Sequence, residues 1–551
     1  MPAFSLIHSL FARRSGGGVA SGGLSREGRI TALIVASAMF MEQLDATVLT
    51  TALPTMARSF GVDPLHMSVA LTSYLVSLSV LIPASGRVAD RIGSRTVFTL
   101  AIVLFTLGSI LCGLSRSLGF LVGARLLQGA GGALMVPVGR LVLLRAVPKA
   151  QLVSAMAWVL LPATIGPLIG PPLGGFLTTF LSWRWIFYIN IPAGLLGLAL
   201  AWRFIPQMRA EEPAPFDGIG MVLSGVALAG LVFGLELATH RGAPLPVTLA
   251  VLAAGLAAGA LYAVHSRRVR DPILDFGLLR YQTFRLSLMS GSATRIMIGA
   301  MPFLIPTMLQ VGLGASAAQS GTVTLATTVG SIPMRLVARR ILRQAGFRRV
   351  MVLNGSSACG VMILCALFRP GMSFWLLALV LALSGFTQSL QFMALNTIAY
   401  DEVPPERMSA ATSFYTTFQQ LALTLGIAAA AATLAASQTF HGRHALAMVD
   451  FSTCFVVVGL VSLLAVPGAM RLPADAGSTI SGHRAGGRGD SGRGDGSRGD
   501  DGGVGEASPG DIGRHDDAER PDDFGPDEVA ISPAAMPVGE RVPAPERTTG
   551  G

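Results

Sequence analysis

The sequence predicts an all-α polytopic membrane protein made of two pseudosymmetric six-helix bundles plus two inserted helices, fourteen transmembrane helices in total. About fourteen apolar stretches of roughly twenty residues follow one another between Ile30 and Arg471, and about 18 apolar residues suffice to cross a bilayer. The composition agrees, because 51% of the residues are hydrophobic and 13% are charged, whereas globular domains carry roughly 25% charged residues. An internal repeat divides the series into halves.

The predicted spans begin near residues 30, 67, 96, 118, 151, 185, 217, 245, 284, 316, 348, 373, 408 and 447. The four cysteines all fall inside spans (Cys112, Cys359, Cys365 and Cys454). A thiol at such a position behaves as a small buried hydrophobe, so no disulfide is expected. The first span is expected to act as its own uncleaved insertion signal, because Arg13 and Arg14 follow the short N-terminal apolar patch instead of preceding it.

The net charge of +10 reflects arginines that gather in alternate loops, so it indicates membrane topology and not nucleic-acid binding. The rich loops carry Arg26, Arg29, Arg87, Arg91, Arg95, Arg145, Lys149, Arg203, Arg209, Arg267, Arg268, Arg270, Arg280, Arg335, Arg339, Arg340, Arg343, Arg348 and Arg349. The alternate loops carry isolated arginines only. By the positive-inside rule, the side with the arginine-rich loops is cytoplasmic. This predicts a multi-pass protein of the cell membrane with both termini in the cytoplasm.

An internal repeat with an offset of about 250 residues indicates two halves. Val88-Ala89-Asp90-Arg91-Ile92 reappears as Val337-Ala338-Arg339-Arg340-Ile341, and a Val-Pro pair followed by Ser-Ala recurs at 147–155 and 403–410. Both copies lie on the predicted cytoplasmic side, so the halves point the same way and the insertion between them contains an even number of spans. Parallel halves are an architecture of secondary transporters, which bind substrate between the halves near the midplane.

The predicted domains are a cytoplasmic N-terminal tail (1–29), an N-terminal six-helix bundle (30–204), an inserted helix pair with its linkers (205–283), a C-terminal six-helix bundle (284–471) and a cytoplasmic tail (472–551). The last segment is rich in Gly, Asp, Arg, Pro and Ser. Such a composition buries too little apolar surface to offset the entropy of ordering, so we expect this tail to be disordered.

Ionisable residues inside spans are the leading functional candidates, because a charge near the bilayer centre costs at least about 2.5 kcal/mol. Glu42 and Asp45 are three residues apart in span 1, so they share one helix face. A carboxylate in a low-dielectric cavity binds a proton more tightly, and a neighbouring cation reverses that effect. Asp45 is therefore a candidate proton or cation carrier, with a structural ion pair as the alternative; for Glu42 the two readings weigh equally.

Two arginines in spans are the candidate partners. Arg125 in span 4 shares a helix face with Gln128, Gly129 and Gly132, and the glycines allow a neighbouring helix to approach. Arg295 in span 9 corresponds roughly to the position of Asp45 in the first half. A cation there either attracts an anionic group of a substrate, holds a carboxylate, or forms a structural pair. Amides in spans 12 and 13, such as Gln391 and Asn396, either line a cavity or form hydrogen bonds between helices. No functional role is predicted for Glu236 and His265, which lie close to the ends of their spans.

Span 5 contains the unusual series Gly166-Pro167-Leu168-Ile169-Gly170-Pro171-Pro172-Leu173-Gly174-Gly175. Glycines four residues apart form a flat stripe, and the prolines remove backbone donors and bend the helix. This combination is typical of close packing at an interface that moves.

These residues resemble a known family. The span 1 segment Leu44-Asp45-Ala46-Thr47-Val48, the loop segment Gly86-Arg87-Val88-Ala89-Asp90-Arg91-Ile92-Gly93-Ser94-Arg95, Arg125 with Gln128-Gly129, the Gly-Pro series of span 5, and Trp183-Arg184-Trp185-Ile186-Phe187 through Asn190-Ile191-Pro192 occur in order. Together they resemble the fourteen-span drug/proton antiporters of the major facilitator superfamily, over about residues 28 to 470. The loop segment has serine where a basic residue is usual.

The resemblance implies proton-driven export by alternating access. It assigns proton coupling to Asp45 and Arg125, and a cytoplasmic gate to Gly86, Arg87, Asp90, Arg91, Gly93 and Arg95. In the gate, Asp90 is implied to face the helix end and arginines of the other half. The second copy of the loop has Arg339 in place of the carboxylate, so it lacks the switch residue.

The leading hypothesis is a proton-coupled pump for hydrophobic or amphipathic small molecules, with the substrate, protons and the lipid bilayer as its partners. Uptake or symport of a polar solute is the alternative, and a membrane sensor or enzyme is a more distant one. The sequence has no Walker loop, nucleophile elbow or metal-ligand cluster, so catalysis, cofactors, bound metal and nucleic acid are not expected.

Overall fold

The computed structural model describes residues 25–147, 151–209, 215–239, 244–443, 445–473 and 476–477, and all regular structure within them is helical. In chain order the helices are α1 (Arg26–Val48), α2 (Leu53–Phe60), α3 (Ser68–Ile92), α4 (Ser94–Leu114), α5 (Leu118–Ala146), α6 (Leu152–Phe180), α7 (Trp185–Tyr188), α8 (Asn190–Phe204), α9 (Gly218–Ala238), α10 (Leu245–Ser266), α11 (Gln282–Thr307), α12 (Ala317–Leu364), α13 (Phe374–Ile398), α14 (Met408–Phe440), α15 (Met448–Leu463) and α16 (Ala465–Met470). The tail prediction for 472–551 falls almost wholly outside the described residues.

Polar side chains cap several of these helices. Ser25 accepts a hydrogen bond from the Gly28 amide at the start of α1, and Ser117 does the same for Phe120 at the start of α5. At α12, Ser316 and Gln319 form a reciprocal capping box. Each cap supplies a partner to an amide that the first helical turn leaves unsatisfied, and this fixes where the helix begins.

The helices account for fourteen membrane spans. Twelve described helices are long and apolar enough to cross a membrane, and α6, with 29 residues, adds another. The 48-residue α12 is interrupted at Gly346, where φ is 74°. At 1.5 Å per residue, α12 has a contour length of about 70 Å, more than twice the roughly 30 Å hydrocarbon core. It therefore provides two spans, and the helix starts lie within a few residues of the predicted ones.

Helices of the same half pack against one another. In the first half, α1 contacts α5, α6 and α8, and α5 contacts α3 and α4; in the second half, α11 contacts α14 and α15, and α12 contacts α13. Two pairs cross between the halves, α6 with α12 and α3 with α14. Helix α9 of the inserted pair packs on both α3 and α14, so the insertion lies along one of these two seams. The exact domain boundaries remain a prediction.

The halves share an apolar core at one end of the molecule. At the arginine-poor end, one core joins residues of both halves, such as Leu53 and Trp183 of the first with Leu304 and Phe368 of the second. At the arginine-rich end the cores are separate, one in the first half and two formed mainly by the second. Among the described residues, the buried apolar contacts between the halves therefore lie at the arginine-poor end.

Candidate functional site

A buried ion pair lies at the centre of the first half. Arg125 on α5 donates to Asp45 on α1 across 2.6 Å, and the two side chains are 0% and 2% exposed. The guanidinium also donates to the Ala70 carbonyl of α3 at 3.0 Å and lies 4.3 Å from the centre of the Tyr74 ring. Three helices thus converge on one cation, which is stabilised by a carboxylate, a carbonyl and an aromatic face.

Both oxygens of Asp45 are hydrogen bonded. Gln128 donates to Oδ1 at 2.8 Å and Asn190 donates to the same oxygen at 3.0 Å, while Arg125 occupies Oδ2. The side chain of Ser109 in turn accepts from Gln128 and from Asn190. Every hydrogen bond to Asp45 thus comes from a donor, and both of its oxygens are satisfied by side chains of neighbouring helices.

Glycines allow the helices of this network to approach closely. A β-carbon at Gly129 would lie 2.6 Å from the Tyr74 carbonyl oxygen, and one at Gly108 would lie 2.6 Å from the Gln128 backbone. These contacts are shorter than any side chain tolerates. Gly129 therefore sets the distance between α5 and α3.

Glu42 lies one helical turn before Asp45 and is 9% exposed. It is within electrostatic range of Asp45 and of Arg140, an exposed residue of α5 nearer the arginine-rich end. Glu42 thus lies beside the ion pair, one turn nearer the arginine-rich end.

Arg295 on α11 is 1% exposed, and none of the described residues forms an ion pair with it. Its Nη2 donates to Asn396 Oδ1 at 3.2 Å and to the Tyr415 hydroxyl, and the guanidinium lies 4.7 Å from the centre of the Tyr415 ring. The second half therefore holds a buried cation among neutral groups. It is not joined to the network around Asp45.

The Gly-Pro series of α6 contacts two helices. On one side, β-carbons at Gly170 and Gly174 would lie 2.0 Å from Thr47 Oγ1 and 2.3 Å from the Val48 carbonyl oxygen of α1. On the other side, a β-carbon at Gly175 would lie 2.3 Å from the Ala317 carbonyl oxygen of α12, which belongs to the second half. Gly166 similarly packs on Gln43. The series is thus part of the seam between the halves.

The predicted gate residues lie in the last turns of α3 and the first turn of α4, around the short loop at Gly93. Asp90 pairs there with Arg145 of its own half at 2.7 Å, both side chains being 31% exposed. The resemblance implies a contact of Asp90 with the other half, and among the described residues its ion pair is with Arg145 instead. Gly86 has open space around its α-carbon.

The rest of this loop contacts the two linkers that flank the inserted pair. Gly93, at φ 107°, lies under Gln207, whose side-chain Nε2 would be 2.2 Å from a β-carbon there. The Ser94 amide donates to the Met208 carbonyl at 2.9 Å, and Arg209 donates to the Ile92 carbonyl at 3.0 Å. These contacts attach the segment after α8 to the loop.

The second linker is attached in the same way. Arg87 donates to the Pro272 carbonyl at 3.0 Å. The arginines at 91 and 95 lie against rings on the other linker's side, Phe216 just before α9 and Trp202 of α8. Asp275, three residues after Pro272, is 3.5 Å from Arg407 at the start of α14. The linker therefore contacts the loop of the first half and a helix start of the second.

Asp217 fixes the start of the inserted pair. It caps α9 through the Gly220 amide at 2.8 Å and lies 2.7 Å from His265 Nε2 on α10. Burial raises the pKa of the Asp217 carboxyl, but the hydrogen bonds from His265, Gly220 and Ile273 outweigh it and hold that pKa below its ordinary value. His265 therefore has a structural role, which the sequence did not predict.

Two members of the network around Asp45 were not predicted as site residues, namely Asn190 and Ser109. Asn190 was visible in the segment before span 6, but nothing in its position indicated that its side chain reaches Asp45. In the part of the chain that the structure describes, no group of His, Cys, Asp and Glu side chains is arranged to hold a metal ion.

Fourteen spans in two halves, with ionisable side chains buried inside the bundles, are the architecture of a secondary transporter. A family model described as Major Facilitator Superfamily matches residues 35–427 and, in a second alignment, residues 286–488. The chain belongs to the major facilitator superfamily.

Known relatives and structures are consistent with this assignment. The chain is 42% identical over 398 residues to the multidrug resistance protein MdtD of Salmonella heidelberg (strain SL476), covering 72% of this chain and 84% of that protein, and MdtD of Salmonella typhimurium (strain LT2) matches to the same extent. A POT family transporter solved with 5-aminolevulinic acid has a TM-score of 0.61 at 16% identity, covering 82% of this chain and 96% of that one. The human organic anion transporter MFSD10 has a TM-score of 0.54 at 14% identity, covering 80% and 99%. The structural matches show the fold alone.

Proposed function

We propose that this protein exports hydrophobic or amphipathic small molecules across the cell membrane by proton-coupled alternating access. The single observation that carries the proposal is the buried pair of Asp45 and Arg125 with its amide network, because burying ionisable groups inside a membrane bundle is costly and such groups mark proton or substrate pathways. The relatives described as multidrug resistance proteins support drugs or related amphipathic compounds as the substrate class.

Proton exchange is assigned to Asp45. When this carboxylate takes up a proton, Arg125 keeps two other acceptors, the Gln128 side-chain oxygen at 2.7 Å and the Ala70 carbonyl at 3.0 Å. The cation is then still hydrogen bonded, so the network tolerates both protonation states of Asp45. A site that holds a carboxylate in two states at moderate cost is what a proton carrier requires.

The conformational step is assigned to the seams between the halves. In this structure the shared apolar core closes the arginine-poor end, and contacts such as Gln310 to the Thr51 carbonyl at 2.9 Å cross between the halves there. Opening that end requires α6 and α12 to separate where the glycines of α6 now lie against Ala317. The arginine-rich end is proposed to be cytoplasmic, so we propose that substrate is loaded at that end and released where α6 and α12 separate.

The experiment is transport in inverted vesicles with cationic, neutral and anionic amphipathic dyes, reading dye accumulation together with collapse of the proton gradient. Export predicts accumulation inside the vesicles that stops when the gradient is dissipated. Gradient-driven loss of a preloaded polar solute from the vesicles, with no dye accumulation, would instead support the uptake or symport alternative.

A further inference from the structure

A second buried carboxyl group lies in the inserted pair, outside the network around Asp45. Glu236 is in the last turn of α9 and is 2% exposed. Thr239 fixes the end of this helix, because its amide and its hydroxyl both donate to the Glu236 carbonyl, at 3.0 and 2.7 Å. A carboxyl group buried in a span is costly when it is ionised, so its contacts must explain its protonation state.

The contacts of Ser68 bear directly on that state. Ser68 is the fully buried first residue of α3, and its hydroxyl oxygen lies 2.7 Å from the Leu65 carbonyl oxygen and within hydrogen-bonding distance of Glu236 Oε1. A serine hydroxyl has a single proton to donate, and a carbonyl or a carboxylate can only accept. Both contacts are therefore hydrogen bonds at the same time only when Glu236 carries a proton and donates it to Ser68.

The ionised form of Glu236 also has donors within reach. Thr72 is four residues after Ser68, so it shares the same face of α3, and it lies beside the Glu236 carboxyl group. Its buried hydroxyl has no hydrogen-bond partner among the described residues. When Glu236 loses its proton, Ser68 turns its own proton from Leu65 to the carboxylate, and Thr72 donates to it as well. Deprotonation thus exchanges the hydrogen bond between Ser68 and Leu65 for hydrogen bonds to the carboxylate.

The turn of α3 that holds Ser68 belongs to the apolar core that joins the two halves. Leu65, Met67 and Ala70 are members of this core at the arginine-poor end. The Ala70 carbonyl also accepts from Nε of Arg125 at 3.0 Å. One turn of α3 therefore contacts the carboxyl group of the inserted pair on one side and the buried ion pair of the first half on the other.

Other titratable groups lie at the same end of the elements that pack on α9. Asp63 has a role of its own, since it accepts from the Leu65 amide at 2.8 Å and caps the turn before α3. Helix α10 carries its titratable groups at the opposite end. The groups at the arginine-poor end are Asp63 and His66 before α3 and His441, Arg443 and Asp450 after α14, while His240 and Arg241 lie outside the described residues.

We propose that Glu236 is a second proton-binding site, on the arginine-poor side, and that its proton holds the inserted pair to the first turn of α3. Release breaks the O–H bond of the carboxyl group and passes the proton to water at that end. The hydrogen bond between Ser68 and Leu65 is then lost, and the segment that closes the arginine-poor end is loosened. The effect on closure rests on the alternating access proposed above, whereas proton binding by Glu236 does not.

Infrared difference spectroscopy of the full-length protein in nanodiscs tests for the proton. On titration from neutral to alkaline pH, the parent should lose a carboxylic acid C=O band. Glu236→Gln should lack this band, and Ser68→Ala should shift its frequency, because that hydroxyl accepts the hydrogen bond of the acid. Asp63→Asn, which keeps an oxygen for the helix cap, is the matched control and should retain the band unchanged. A parent without the band, or Glu236→Gln with it, would overturn the proposal.

Labelling of a cysteine introduced at Leu53, in the shared core, reports whether the arginine-poor end is closed. Its rate with an impermeant maleimide, divided by that of Ser59→Cys, which is exposed at the same end, should rise about fivefold as the pH is raised, since one hydrogen bond is lost. Glu236→Gln, whose amide still donates to Ser68, should remove this rise. Asp63→Asn and His66→Gln should retain it. The same rise in Glu236→Gln would show that another group closes this end.

These measurements separate the proton site from the export function, because neither requires transport. Dye export by a parent protein without the Glu236 band leaves export standing and removes the site. A Glu236 band in a protein that transports no dye leaves the site standing and removes export. The infrared result also stands by itself where Leu53→Cys does not fold.

Discussion

Replacing Asp45 with asparagine separates proton coupling from structure, and its effect is worked out from the contacts of Arg125. The amide keeps the shape of the side chain but cannot ionise. Removing one partner of a buried pair costs about 3–5 kcal/mol, because it leaves the other charge buried without compensation. Arg125 retains the Gln128 and Ala70 oxygens at 2.7 and 3.0 Å, so we expect a loss of stability at the lower end of that range, about 3 kcal/mol.

Asp45→Ala should be more destabilising than Asp45→Asn, because besides the charge it removes the oxygen that accepts from Gln128 and Asn190, which then keep only Ser109 as an acceptor. Unfolding of both variants in mixed micelles, compared with the parent, measures this order. Asp63→Asn is a suitable control, since that carboxylate caps a short helix at the arginine-poor end and lies outside the network.

In proteoliposomes carrying a pH-sensitive dye, Asp45→Asn should abolish substrate-dependent proton flux. Exchange of labelled for unlabelled substrate across the same membrane should continue, because it requires alternating access but no protonation change. Parental proton flux in a folded Asp45→Asn protein would refute the assignment. Loss of both activities in a folded protein would show that the pair is needed for the conformational change itself.

Four further outcomes are expected. Glu42→Gln should slow gradient-driven transport without abolishing it, because Asp45 keeps its own partners; complete loss would make Glu42 a second obligatory carrier. Asp90→Asn should cost under about 1 kcal/mol of stability, since its pair is exposed, and should shift cysteine labelling towards the state open at the arginine-rich end, whereas unchanged labelling would contradict a gate role. Truncation after residue 473 should leave transport intact in the same vesicle assay. Gly174→Leu should lower the yield of folded protein by overpacking against Val48, while Gly119→Leu, with open space around it, should not.

The spans were predictable because a helix that crosses the membrane needs a long apolar run, and such a run can be recognised directly from the residue types. Even the division of α12 was predicted, since Arg343, Arg348 and Arg349 mark a loop between spans 10 and 11. What the sequence did not indicate is that Gly346 makes this turn within two or three residues. The backbone there needs positive φ, which glycine adopts without strain.

The candidate site was predictable in part. Asp45 and Arg125 stand out because charges are rare and costly in spans. Asn190 and Ser109 do not stand out, because neutral polar residues occur in many spans and their roles depend on helix rotation. The sequence did not decide whether Arg295 has a carboxylate partner. In the structure, neutral groups surround it. Only the packing of α11 against α13 and α14 decides between those readings.

The inserted pair contacts the predicted gate loop (residues 86–95). Neither the composition of the sequence nor its internal repeat could predict this contact. The pair's two linkers attach to opposite parts of that loop, through Gln207 at Gly93 and through Pro272 at Arg87. Helix α9 packs on α3 and α14, the helices that form one of the seams between the halves. A change in the position of α3 relative to α14 must therefore either displace the inserted pair or break these linker contacts. Because the contacts are several and reach both halves, the insertion is expected to move with the gate loop and to limit how far that seam opens.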